Sequence, residues 1–117
     1  MNQVLLVGRL TKDPEVDEKE DGKKLSHITL AVQRPFKNVD GVYETDFVRC
    51  ILWNVVAENA TQFCKTGDVI GIKGRLETQT YEDKEGKVRH FVQVVAEKIS
   101  FIASKKSKII QEENEEA

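Results

Sequence analysis

The stretch Asp46 to Trp53 (DFVRCILW) alternates with the period of an extended strand, placing Phe47, Arg49, Ile51 and Trp53 on one side and Val48, Cys50 and Leu52 on the other. The second side is an ordinary core face. The first sets a guanidinium between two aromatic rings. A buried arginine needs a fixed anionic partner or carries a large desolvation cost, so this row is read as open to water or to a ligand. Phe36 and Tyr81 keep similar company, since Arg34 and Lys37 flank Phe36 and Arg75 shares a predicted face with Tyr81. Such rings stack flat bases at about 1–3 kcal/mol each while neighbouring cations attract phosphates. Any one of the four rings taken alone also fits a core, and the pattern of the strand leaves both readings open. Phe63, Phe91 and Phe101 lack cationic company and are assigned to the core or to an interface.

Other chemistry finds little support. Gly71-Ile72-Lys73-Gly74 has the GxxG form of an RNA-clamping loop, but it lies inside an extended apolar run. No Gly-rich phosphate loop, cofactor motif, carboxylate pair or nucleophile with a base can be assembled, and His27 and His90 fall on different strands. Glu82, Asp83 and Glu85 could attract a divalent cation, yet a charged hairpin tip explains them more simply. Cys50 and Cys64 have no ligand spacing to each other or to a histidine, which argues against a metal site or a redox pair. The expectation is a non-enzymatic protein without metal or cofactor.

The elements that must position these residues are mostly strands. Asn2 to Thr11 reads as a strand with a bulge or close backbone approach at Gly8, carrying on past Asp13-Pro14. Asp17 to Lys24 is solid charge around a glycine, a solvated hairpin loop. Leu25 to Phe36 is a second strand, with Leu25, His27, Thr29, Ala31 and Gln33 on one face and Ser26, Ile28, Leu30, Val32 and Arg34 on the other. Asp40-Gly41 signals a hairpin joining it to the Phe47–Trp53 strand as an antiparallel neighbour. From Val55 to Lys65 the apolar positions Val56, Ala57, Ala60, Phe63 and Cys64 recur at helical spacing, with Gly67 as a stop. Asp68 to Glu82 and Val88 to Ile102 are the last two strands, linked by the charged turn Asp83 to Lys87. On the last strand Phe91, Gln93, Val95 and Glu97 oppose Val92, Val94, Ala96 and Lys98. Five long strands in so small a chain leave exposed edges unless the sheet closes. Strand glycines permit the coiling closure needs, so an all-β, five-stranded Greek-key barrel of the oligonucleotide/oligosaccharide-binding (OB) fold is expected, its single helix between the third and fourth strands.

At 117 residues the chain suits one domain with one core. A charged fraction of 32% with a net charge of −2 describes a charged surface without the overall basic excess that would by itself indicate nucleic acid. The acids are uneven, because Gln111 to Ala117 holds four glutamates and no base. Residues 1–103 are read as the domain and 104–117 as a short charged, disordered tail. With no apolar signal segment or membrane-length run, a cytoplasmic location is expected.

The opening Asn2 to Val16 (NQVLLVGRLTKDPEV), His27-Ile28-Thr29-Leu30-Ala31-Val32, Asp46-Phe47, Leu52-Trp53, Ala57-Glu58-Asn59 and Lys65-Thr66-Gly67 together resemble the bacterial single-stranded DNA-binding protein family, in the form found in Gram-positive bacteria and their phages. The likeness runs from about Asn2 to Ile102. It implies an OB-fold protomer that assembles as a homotetramer and coats single-stranded DNA in replication, recombination and repair. The family's stacking aromatics fall on Phe36, Phe47, Trp53 and Tyr81. Gln3, Val55, Glu77, Gln79 and Thr80 stand where relatives often carry Arg or Lys, and Asp17 to Glu20 is acidic where relatives commonly have Arg-Tyr. Relatives that recruit other proteins end in an acidic tip closing with Pro-Phe, whereas this sequence ends Glu115-Glu116-Ala117. The expectation drawn from this is a form, phage-encoded or secondary, that covers DNA without recruiting enzymes through the usual tail.

Together these readings predict sequence-independent binding of single-stranded DNA, with Phe36, Phe47, Trp53 and Tyr81 stacking bases and Arg34, Lys37, Arg49, Lys65, Lys73 and Arg75, with Arg9 and Lys12 more weakly, holding phosphates. The rivals are an OB-fold protein-interaction subunit of a replication or recombination complex that binds DNA weakly, and a hydrolase on the same barrel.

Overall fold

A computed structural model describes residues 1–105, so the predicted tail lies outside the described residues except for Ser104 and Lys105. The elements run β1 (Val4–Leu10), β2 (Asp17–Glu18), β3 (Lys24–Lys37), β4 (Tyr43–Trp53), α1 (Asn54–Phe63), β5 (Val69–Glu82) and β6 (Val88–Ala103). Their order in the sheet is β1-β5-β6-β4-β3, with β1 pairing β3 as well, so five strands close on themselves. All neighbours are antiparallel except β4 and β6, and β2 is a two-residue addition to the edge of β3. This is the expected OB barrel with its single helix between the third and fourth barrel strands.

Alternation decides what fills the barrel. Ile28 and Leu30 from β3, Cys50 and Leu52 from β4, Ile70 and Ile72 from β5, and Val94 and Ala96 from β6 point inward and are buried. Helix α1 adds the small residues Ala57 and Ala60, followed by Cys64. The helix starts abruptly because Asn54 adopts a left-handed conformation (φ +50°), which Asn tolerates better than most residues. Its side-chain oxygen accepts the Lys24 amide at 3.1 Å, pinning the junction to β3.

Several expectations need correction. The first strand stops at Leu10 instead of passing Asp13-Pro14. Beyond it Asp13 turns to the α1–β5 loop, where its carboxylate accepts both the amide and the hydroxyl of Thr66 at 2.8 Å. The helix covers Asn54–Phe63 rather than Val55 to Lys65, and the chain is already extended at Cys64. Phe63, Phe91 and Phe101 are all exposed, so of the two places expected for them, core or interface, the core is excluded. On β6, Gly74 opposes Ala96 while Lys73 opposes Lys98; the skipped Glu97 reverses the alternation, so that Ile99 rather than Lys98 packs on the core.

Closure brings backbones close at two glycines. At Gly8 a Cβ would stand 2.5 Å from the Ala31 carbonyl oxygen of β3, and at Gly74 one would collide with the Val95 carbonyl of β6. Gly8→Ala is therefore expected to destabilise the barrel by about 1–3 kcal/mol through forced backbone displacement, measurable by urea unfolding. An unchanged midpoint would mean that β1 shifts freely.

Candidate nucleic-acid interface

The outer surface of the barrel is set by register. Phe47 opposes Ala31, Arg49 opposes Thr29, Ile51 opposes His27 and Trp53 opposes Leu25, so all eight residues share one face of the β3–β4 pair. The face continues through Val95, the parallel partner of Ile51, to Arg75, which opposes Val95 on β5. Farther out on the β5–β6 hairpin the same face carries the Glu77–Gln93, Gln79–Phe91 and Tyr81–Arg89 pairs. In the other direction Ala31 opposes Arg9 of β1.

The floor of this face is apolar. Leu25, Ile51 and Val95 form a small buried cluster outside the barrel, separate from the main core, and Trp53 packs against it half-buried. Phe47 stands free at 68% exposure, with Arg49 exposed between the two rings. Among the described residues Arg49 forms no ion pair. Tyr81 is also open at 53%, and its ring meets Phe91 at 5.9 Å between centroids with the planes tilted by 55°.

Phe36 lies on the long β3–β4 hairpin. The five residues Gln33 to Lys37 of β3 span what the three residues Tyr43 to Thr45 of β4 span, and Pro35 sits inside that irregularity; Phe36 there is 63% exposed. Arg34 is engaged on the same arm. Its guanidinium meets both Asp46 oxygens, the nearest at 2.9 Å, and also bonds Glu44. The hydrogen bond and charge of Asp46, with the charge of Glu44, raise the guanidinium's proton affinity, and Arg34 in turn holds Asp46 below the usual carboxylate range. Lys37 places its ammonium 5.7 Å from the Tyr43 ring centroid.

The other predicted phosphate ligands are dispersed. Arg75 ion-pairs with Glu77 at 3.0 Å. Arg9 donates to the Gly67 carbonyl at 2.7 Å. Lys12 and Lys65 are exposed on the loops after β1 and α1, and Lys73 pairs with Leu5 on the β1 side of the barrel. The geometry thus brings Phe47, Arg49, Trp53, Arg75 and Tyr81 onto one continuous face with Arg9 at its margin, while Phe36, Arg34 and Lys37 sit on the arm beyond it.

Two residues of this face were missed from sequence. Lys19, in the charged loop, reaches back so that its ammonium lies 5.1 Å from the Trp53 ring centroid. His27 is exposed beside Ile51, and its significance depends on which face of β3 meets the Phe47–Trp53 row. The thiols add nothing reactive: burial pushes Cys50 up to about 11 and, together with Asp68, raises Cys64, so both stay protonated at neutral pH.

The model of the Single-strand binding protein family matches residues 1–102. Among curated relatives, single-stranded DNA-binding protein 3 of Listeria innocua is 46% identical over 107 residues, 92% of this chain and 67% of that protein. Single-stranded DNA-binding protein B of Bacillus subtilis is 44% identical over 104 residues, 89% of this chain and 92% of that protein. Single-stranded DNA-binding protein 2 of Listeria innocua is 46% identical over 102 residues, of which this chain spans 64% of the length.

The distinction between face and core is open to a stability test. Phe47→Ala should leave unfolding free energy within about 0.5 kcal/mol of the parent, as for other exposed substitutions. Leu52→Ala, from the opposite side of the same strand, should cost about 2–5 kcal/mol. Comparable losses for the two would place Phe47 in a packed environment.

Proposed function

Because the chain belongs to the single-strand binding protein family, we propose that it coats single-stranded DNA irrespective of sequence, in replication, recombination and repair, stacking bases on Phe36, Phe47, Trp53 and Tyr81. The observation that carries this reading is the row Phe47–Arg49–Ile51–Trp53, two accessible rings around a guanidinium without an ion pair among the described residues, over an apolar floor. Every base presents a flat face, so such a row accepts any sequence. Arg49, Lys12, Lys65 and Lys73 are the cations most ready to meet phosphates. Arg34 and Arg75 must first leave Glu44, Asp46 and Glu77, Lys37 its place over Tyr43, and Arg9 the Gly67 carbonyl.

Assembly as a homotetramer belongs to the same proposal. Leu5 and Val7 on the outside of β1 are exposed beside Gly71 and Ile102, an apolar surface suited to a second copy of the chain. Solution mass by light scattering, with and without a long oligonucleotide, tests it; a monomer at micromolar concentration would refute it.

Trp53 emission should be quenched on adding oligo-dT and recover as salt is raised. Phe47→Ala or Trp53→Ala should weaken binding by about 1–3 kcal/mol. Unchanged emission and unchanged affinity would refute the face as the binding site. Freeing Arg34 by the double change Glu44→Gln/Asp46→Asn should strengthen binding at low salt. It should also steepen the dependence of log affinity on log salt by about 0.7, the increment for one more neutralised phosphate of a single strand.

A further inference from the structure

We infer that His27 is a further contact of the bound strand, taking a proton from solvent as a phosphate settles between Phe47 and Trp53, so that binding tightens as the pH falls. This rests on the proposed face being the binding site. His27 lies near its centre: directly opposite Ile51, flanked along β3 by Leu25 and Thr29, and diagonal to Arg49 and Trp53. It is exposed, and an imidazole at that place lies between the Trp53 ring and the exposed Arg49 guanidinium, where the backbone of a strand lying on both rings must pass.

The charged groups that act on it come from four places. Arg49 of β4, Lys12 from the segment after β1 and Lys19 from the turn after β2 oppose its protonation, while Asp17 of β2 favours it. Partial burial is the largest influence, and together with the three cations it holds His27 below the ordinary histidine value, neutral at pH 7. A bound phosphate reverses the electrostatic part of this balance. It offsets part of the positive field of those cations, places a negative charge beside the ring and accepts a hydrogen bond from the imidazolium. The bound state therefore holds the proton more tightly than the free state. By linkage, affinity rises as pH falls from the bound-state value to the free-state value, by up to about tenfold for each unit between them.

His90 provides an internal comparison. It lies on β6 opposite Thr80, on the face of the β5–β6 hairpin turned away from Tyr81. His27 and His90 are the two histidines of the chain, so replacing each in turn separates a contribution from the face from one made elsewhere.

The test is the affinity of the full chain for a fluorescein-labelled oligo-dT by anisotropy, at constant ionic strength from about pH 5.5 to 8. Calorimetry in two buffers of different ionisation heat then counts protons taken up. The parent and His90→Gln should tighten severalfold towards the acid end with net proton uptake, and His27→Gln should lose most of both. A His27→Gln profile that follows the parent, or a flat parent profile, overturns the inference while leaving the face intact. Failure of the face itself is recognised separately, by Phe47→Ala binding as tightly as the parent. His27→Gln should unfold at the parent's midpoint, because the ring is exposed.

Discussion

Everything on the outer surface depends on β1 pairing with two strands at once. Its first residues run against β5, and its last two lie against β3, so one short strand converts an open sheet into a closed one. The tight passage of Gly8 over the Ala31 carbonyl is where the two pairings meet. Closure fixes the register of β3 against β4, and of β4 against β6, so residues distant in sequence are aligned across one curved face. It also leaves the sheet with an inside of aliphatic residues and an outside free to be specialised.

That specialisation has its own small foundation. Leu25, Ile51 and Val95 are buried although they point out of the barrel, and Trp53 leans on them. A ring resting on apolar neighbours is held in one orientation, whereas Phe47, three rungs along the same face and nearly free, can adjust. The face thus combines a fixed platform and an adaptable one around Arg49, which suits ligands of varied base composition better than two rigid slots would.

Alternation was sufficient to read the faces from sequence, because side-chain period is a local property: Phe47, Arg49 and Trp53 do part from Val48, Cys50 and Leu52 as expected. The hairpin at Asp40-Gly41 and the change of period into the helix were legible for the same reason. What escaped depends on distant partners. The skipped Glu97 follows from the coiling of β5 against β6, and Lys19 over Trp53 follows from how the β2–β3 turn folds back. Arg34 looks like a free cation in sequence, and only the pairing of β3 with β4 brings Asp46 and Glu44 within its reach. His27 likewise gained meaning only once it was set beside Ile51.

The engagement of Arg34 changes the character of the hairpin arm. Glu44 and Asp46 are counterions tethered to the chain, so a phosphate that meets Arg34 must displace carboxylates that cannot diffuse away, which offsets the gain from releasing the strand's own condensed cations. The displaced carboxylates stay beside the strand and repel it. Holding on the arm is an exchange between near-equal partners, whereas holding on the Phe47–Trp53 row is not. On the proposed reading, a strand bound across both would therefore let go first at the arm.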